Sequence, residues 1–190
     1  MSEKKLEGYR VAILATDYFE EPELIEPRKA LQEAGAQTVV IAPKSGEIQA
    51  VRHDINPAQK VKVDLTLDHA RPGEFDAVLL PGGALNADAL RMEKKAQEFV
   101  RQMDQQGKPI AVMCHGPWLL ISAGLVKGRH MTSYKTIQDD LKNAGANWSD
   151  GAAVRDRNWV SSRQPDDIPQ FNKNMLELFS EMRQKLHKAA

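Results

Sequence analysis

The chain has 190 residues, and its 26 Lys plus Arg balance its 26 Asp plus Glu, so the formal net charge at pH 7 is zero. No overall field draws it to nucleic acid or to an anionic membrane, and any partner has to be recognised locally. A composition that is 42 % hydrophobic and 27 % charged excludes the disordered and membrane-embedded classes.

The opening MSEKKLEGYR has no apolar stretch of signal-peptide type, and no run approaches the roughly 18 apolar residues of a membrane span. A cytoplasmic location is expected, and the length suits one domain. Along the chain, YRVAILA (9–15), QTVVIAP (37–43), FDAVLLPGG (75–83) and PIAVMC (109–114) are dense in branched apolar residues and read as strands buried on both faces. Between them, 21–35 and 87–107 repeat apolar residues at three and four and close on glycine, which predicts helices. The stretch 46–68 alternates in places and carries a proline, as a short hairpin or edge excursion does. A helix is expected over 135–145, a hairpin over 153–163 turning at Asp156 to Asn158, and a terminal helix over 165–188 that starts acidic and ends basic. The alternation predicts an α/β fold: one doubly wound, largely parallel sheet with helices on both faces.

Cys114, the only cysteine, stands at the carboxyl end of PIAVMC, where open α/β sheets place their ligand crevice. Gly116 allows a tight turn and Pro117 suits a first helical turn, so a helix should start at once. Strand, sharp turn and helix form a nucleophile elbow, whose amides and dipole favour thiolate over thiol. The plain alternative is a small buried hydrophobe. His115 could act as base, although neighbours in a helix do not face each other and only the elbow geometry could bring it back. Gly82 and Gly83 end a second strand and can bring N–H groups to a ligand oxygen; amides near Gly83 and His115 would make an oxyanion hole.

Five segments, YFEEPEL, EFDAVLLPGG, AVMCHGPWLLISAG, GRHMTSYKTIQDDLKNAG and WVSSRQPDDIPQF, resemble the PfpI intracellular protease family. Its superfamily includes glycation-repair enzymes and class I glutamine amidotransferases. The resemblance implies a single flavodoxin-like domain over 1–190 with its core at about 9–180. It implies Cys114 as nucleophile, His115 as neighbouring base, and Glu20 as the buried acid whose protonated carboxyl hydrogen-bonds the sulfur; the other reading of Glu20 is a solvated acid beside Glu21 and Glu23. A third acid comes from a neighbouring subunit just after PGG, where this chain runs about one residue long and Asp88 is the candidate, or else a helix cap. Tyr134 lies where family members keep a tyrosine near the thiol. His130 reads as a strand residue that packs or faces solvent, and Arg163 and Asp166 as a loop brace and a helix start.

These residues suit a stress-linked cysteine hydrolase acting on peptide or acyl carbonyls. They equally suit glycation repair or glyoxalase-type chemistry on methylglyoxal or its adducts, and a non-enzymatic redox-sensing or chaperone protein built on an oxidisable thiol. A glutaminase is disfavoured, because it needs a late His-x-Glu pair and the late His187 precedes Lys188 and Ala189. His53, His69 and His187 lack zinc-ligand spacing, so neither metal nor other cofactor is expected. The expected partners are the substrate and a second copy of the chain, with no nucleic acid and no membrane.

Overall fold

The computed structural model describes residues 5–189, and side chains as far as Lys185, so the side chain of His187 lies outside the described residues. In chain order, β1 (Arg10–Leu14) leads through the short β2 (Phe19–Glu20) into α1 (Glu21–Glu33) and back to β3 (Gln37–Ala42). A hairpin of β4 (Glu47–Arg52) and β5 (Asn56–Lys62) precedes β6 (Leu65–Thr66) and β7 (Ala77–Leu80). Then follow α2 (Ala84–Met92), α3 (Lys94–Gln105), β8 (Ile110–Met113) and α4 (Pro117–Ser122). The last third holds β9 (His130–Met131), α5 (Gln138–Asn143), β10 (Asn147–Trp148), β11 (Val154–Asp156), β12 (Trp159–Ser162) and α6 (Ile168–Ala189).

Seven strands form one sheet in the order β11-β12-β8-β7-β1-β3-β6. Only the edge strand β11 runs antiparallel to its neighbour. The strict alternation of β1 explains the two-sided burial. Val11 and Ile13 pack with Leu24, Leu31, Phe171, Met175 and Phe179 beneath α1 and α6. Ala12 and Leu14 face the opposite cluster, with Phe99, Val100, Met103, Leu119 and Leu120 of α3 and α4. Each fully buried aliphatic or aromatic side chain here contributes about 1.5–3 kcal/mol. The chain leaves β1 toward β3 on one side and returns to β7 on the other, so the sheet changes winding direction between β1 and β7. The crevice beyond that switch is where such folds bind ligands.

The four central strands fall where hydrophobic density places them, and 46–68 contains the expected hairpin, with β4 and β5 antiparallel and a register shift between Gln49 and Val51. The expected single helix over 87–107 is two. It breaks at Glu93, whose extended backbone (ψ 105°) caps both α2 and α3; apolar spacing continues across the break and hides it. Residues 153–163 turn through Arg157 in a left-handed conformation, φ 54°. The three-residue β11 that enters the turn follows a run of small residues. His130 is exposed in β9, with its ring on Ser149. Arg163 does brace its loop, to Asp150 and Asp167; Asp166 is exposed. Among the described residues no helix is long and apolar enough to cross a membrane.

A buried polar knot fixes the β8–β12 side of the sheet. Asp104 Oδ1 accepts from Arg129 (2.6 Å), Asn158 (3.1 Å) and Trp159 Nε1 (2.8 Å), and the Arg129 guanidinium lies 4.0 Å above the Trp159 ring. Burial holds the Arg129 pKa below its ordinary value against the pull of Asp104. Removing one partner from a buried pair strands the other charge, which costs roughly 3–5 kcal/mol. Asp104→Ala should therefore shift the urea midpoint sharply downward, and Asp104→Asn, which keeps an acceptor, by clearly less. Equal losses in the two would mean that the charge, which both variants remove, carries the whole contribution and the acceptor none.

Candidate active site

Cys114 follows β8 directly, with φ 57°. A left-handed backbone costs a residue with a Cβ about 1–2 kcal/mol, and here the surroundings enforce it. The Cys114 N–H donates to Ser162 O of β12 (3.1 Å), its carbonyl accepts from Tyr134 N–H (2.9 Å), and Gly116 N–H closes the turn on Met113 O (2.7 Å). This is the elbow expected from the sequence. Its geometry brings His115 back: Nδ1 lies 3.2 Å from the Cys114 sulfur. The imidazole is sandwiched, with Tyr134 stacked at 5.1 Å between centroids, Trp118 edge-on at 5.2 Å, and Thr136 Oγ1 3.5 Å from Nε2. Burial lowers the His115 pKa against the opposing charge of Asp54, so the ring is neutral near neutrality and able to accept a proton.

The acid against the sulfur is Glu23, not Glu20. Glu23 is fully buried, with Oε2 accepting from Gly82 N–H (2.7 Å) and its carboxyl bonded to the Cys114 side chain. Its Oε1 has no hydrogen-bond partner among the described residues. Burial first, then the charges of Glu20 and Asp54, push its pKa up to about 8, against the hydrogen bonds from Gly82 and Cys114. Its carboxyl therefore keeps its proton at neutral pH. Glu20 points elsewhere: Oε1 accepts from His53 N–H (2.9 Å) and Oε2 from Asp54 N–H (3.0 Å). One signal in the sequence separates the two acids. Glu23, Pro27 and Leu31 share one stripe of α1, all buried, and a glutamate on an apolar stripe is a buried glutamate.

The two glycines divide their duties. Gly82 N–H is committed to Glu23, whereas Gly83 N–H and His115 N–H both approach the Cys114 sulfur. A Cβ on Gly82 would stand 2.5 Å from Cys114 Cβ, and one on Gly83 (φ 90°) 2.5 Å from Tyr18 O, so neither position admits a side chain. Buried Asn86 locks the turn, accepting from Thr16 N–H (2.7 Å) and donating to Gly82 O (2.9 Å). The amides do converge on the sulfur, but they do not set the thiol's balance by themselves. Burial, then Glu23, push the Cys114 pKa well up, and Asp54 adds to this; the Gly83 and His115 amides oppose it. Sulfur and carboxyl behave as one coupled pair of acids. Asp88 is exposed on α2 and accepts no hydrogen bond among the described residues. Asp54, which sequence reasoning missed, is the carboxylate whose charge reaches Cys114, His115 and Glu23 alike.

Comparison with known proteins places this geometry among relatives. The DJ-1/PfpI family profile matches residues 9–178. The chain is 43 % identical over 169 residues to "Deglycase PfpI" of Pyrococcus furiosus, covering 89 % of this chain and 98 % of that one. It is 40 % identical over 169 residues to "Putative cysteine protease YraA" of Bacillus subtilis, covering 89 % and 97 %. A crystal structure of a two-domain protein with DJ-1/ThiJ/PfpI-like and ferritin-like domains, from Anabaena variabilis, matches with a TM-score of 0.83 and 35 % identity over 89 % of this chain. The chain spans about half, 47 %, of that longer protein.

The raised Glu23 pKa has a signed consequence for stability. The folded state binds that proton more tightly than the unfolded chain, whose value is near 4.5. The stabilisation is complete below pH 4.5 and is lost as pH rises through about 8, at roughly 1.4 kcal/mol per unit. Glu23→Gln keeps an acceptor for Gly82 and carries no titrating proton. In urea unfolding at pH 5, 6.5 and 8 the variant should gain steadily on the wild type. A constant gap across that range would show that Glu23 is already ionised.

Proposed function

The chain belongs to the DJ-1/PfpI family, and from that premise we propose that it is a thiol-dependent hydrolase that removes small carbonyl adducts from amino groups, a glycation-repair activity. The observation that carries this reading is a fully buried carboxyl on Glu23, whose pKa burial raises, beside a thiol that is itself only 5 % exposed. A thiol recessed in this way admits a small carbonyl compound more readily than a folded peptide segment. The neighbouring carboxyl can donate and recover a proton as bonds to oxygen and nitrogen change.

In the first step the Cys114 proton passes to His115 Nδ1 and the sulfur bonds to the substrate carbon. The carbonyl electron pair moves to oxygen, where the Gly83 and His115 N–H groups stabilise the developing charge; one such donor is worth about 3 kcal/mol. Glu23 protonates the amine nitrogen as its bond to the carbinol carbon breaks, and the carbinol O–H becomes a carbonyl and returns its proton to Glu23. The sulfur adduct then collapses, its carbon–sulfur bond breaking as the attacked carbonyl re-forms and His115 returns the proton to sulfur, and the released carbonyl compound takes up water. Tyr134 acts through His115 by stacking against its ring.

Peptidase chemistry is the second reading, supported by the 3.2 Å Cys114–His115 contact and by the name of the Bacillus relative. Against it, no carboxylate among the described residues accepts a hydrogen bond from His115 to orient it. Assembly as a homodimer is part of the proposal. Leu85 (55 % exposed) and Met92 (74 %) lie seven residues apart on α2, on either side of Asp88, and form an apolar face beside the site.

Three substrates assayed in parallel test the reading: a methylglyoxal-modified amino acid, free methylglyoxal and an unstructured peptide. Release of the free amino acid from the adduct is expected, with complete loss in Cys114→Ala. Cleavage of the peptide at a comparable rate, also lost in Cys114→Ala, would overturn the choice in favour of a peptidase.

A further inference from the structure

The β4–β5 hairpin is tied to the reactive centre by a chain of contacts that a surface hairpin does not need for its own folding. β2 pairs with β4 through Phe19–Ala50 and Glu20–Val51. The Glu21 carboxylate takes Arg52 Nε and Gln59 Nε2, one from each strand, and those bonds outweigh burial to hold its pKa low. At the tip, His53 (φ 55°) and Asp54 (φ 62°) are consecutive left-handed residues, neither of them glycine. Such a pair is costly, and it persists only where its surroundings impose it. Glu20 imposes it, with one carboxylate oxygen on each of the two amides. The Asp54 Oδ1 thereby reaches Ala84 N–H at 2.8 Å, next to Gly83, whose own N–H faces the Cys114 sulfur.

We infer that Asp54 is a positioning residue of this site, supplied by the same chain: it anchors the Gly83–Ala84 backbone so that the Gly83 amide stays on Cys114, and Glu20 is the clasp that holds Asp54 in place. The inference rests on the thiol-centred reading above and assigns both acids a task unlike the one expected of Glu20. The Asp54 charge also opposes the lowering of the His115 pKa by burial, and no acid among the described residues is hydrogen-bonded to that ring. The titratable groups facing the sulfur are Glu23 from α1, Asp54 from the hairpin tip and His115 from the elbow. Glu20 stands behind Glu23, and Tyr134 lies against the imidazole.

The charge and the anchor act on the thiol in opposite directions, which makes them separable. Asp54→Asn keeps an acceptor for Ala84 N–H but removes a charge that disfavours thiolate, so the pH midpoint of Cys114 alkylation by iodoacetamide should fall. Glu20→Gln keeps the Asp54 charge but can accept from only one of the two tip amides, which loosens the Gly83 donor. Its alkylation midpoint should rise, and kcat on the methylglyoxal-modified amino acid should drop by about 10-fold or more with KM little changed. Circular dichroism of the full chain establishes that each variant is folded, and if Glu20→Gln does not fold, Asp54→Ala against Asp54→Asn isolates the anchor: both lack the charge and only Ala lacks the acceptor for Ala84 N–H, so the midpoint of Asp54→Ala should be the higher. Midpoints that coincide with wild type in folded variants would overturn it. Alkylation reads the thiol without any substrate: shifted midpoints with no turnover by the wild type would leave the positioning role standing and remove the proposed activity. Turnover lost in Cys114→Ala with unshifted midpoints would do the reverse.

Discussion

The left-handed backbone of Cys114, φ 57°, is the constraint around which the rest of the molecule is arranged. A single residue with a Cβ does not hold that conformation unaided. It is held here because β8 is clamped between β7 and β12, because Cys114 N–H and C=O are both committed to neighbouring chain segments, and because the turn closes within three residues on Met113 O. The Asp104–Arg129–Trp159 knot keeps β12 in place. The outcome is a sulfur lifted off the sheet end with the next residue's imidazole folded back onto it, an arrangement that neither a regular strand nor a regular helix permits.

Once the sulfur is placed, burial decides its chemistry. A thiol and a carboxyl enclosed together cannot both carry charge in a low-dielectric pocket. Burial and then the Glu23 charge push the Cys114 thiol well up, so a Glu23 carboxyl that keeps its proton lowers the cost of forming thiolate beside it. Gly82 shows how tightly this is built: its N–H steadies the Glu23 carboxyl, and its missing Cβ leaves the space in which Glu23 and Cys114 meet.

The three glutamates of YFEEPEL divide their work by geometry. Glu20 and Glu21, at the junction of β2 and α1, turn outward to the hairpin and fasten its tip and its two strands. Glu23, one helical step further, turns inward. A short acidic run therefore connects a surface hairpin, the N-terminus of α2 and the thiol through hydrogen bonds.

The fold was legible from the sequence because buried parallel strands write themselves as dense branched-apolar runs and their helices as three-and-four spacing. The elbow was legible too, since an apolar run ending in Cys-His-Gly-Pro leaves little other backbone path. The helix break at Glu93 and the two-residue β2 were not, because apolar spacing carries no record of where a backbone bends or of which distant strand a short segment will meet. The choice among Glu20, Glu21 and Glu23 was written only faintly, in the apolar stripe that Glu23 shares with Pro27 and Leu31. Asp54 was not written at all. Its sixty-residue separation from Cys114 is closed by the pairing of β2 with β4 and by two left-handed residues. The sequence by itself determined which side chain could react and on what scaffold; the tertiary structure decided which acids reach it, because a carboxylate's role follows from its burial and its hydrogen-bond partners, and both are properties of the packed chain.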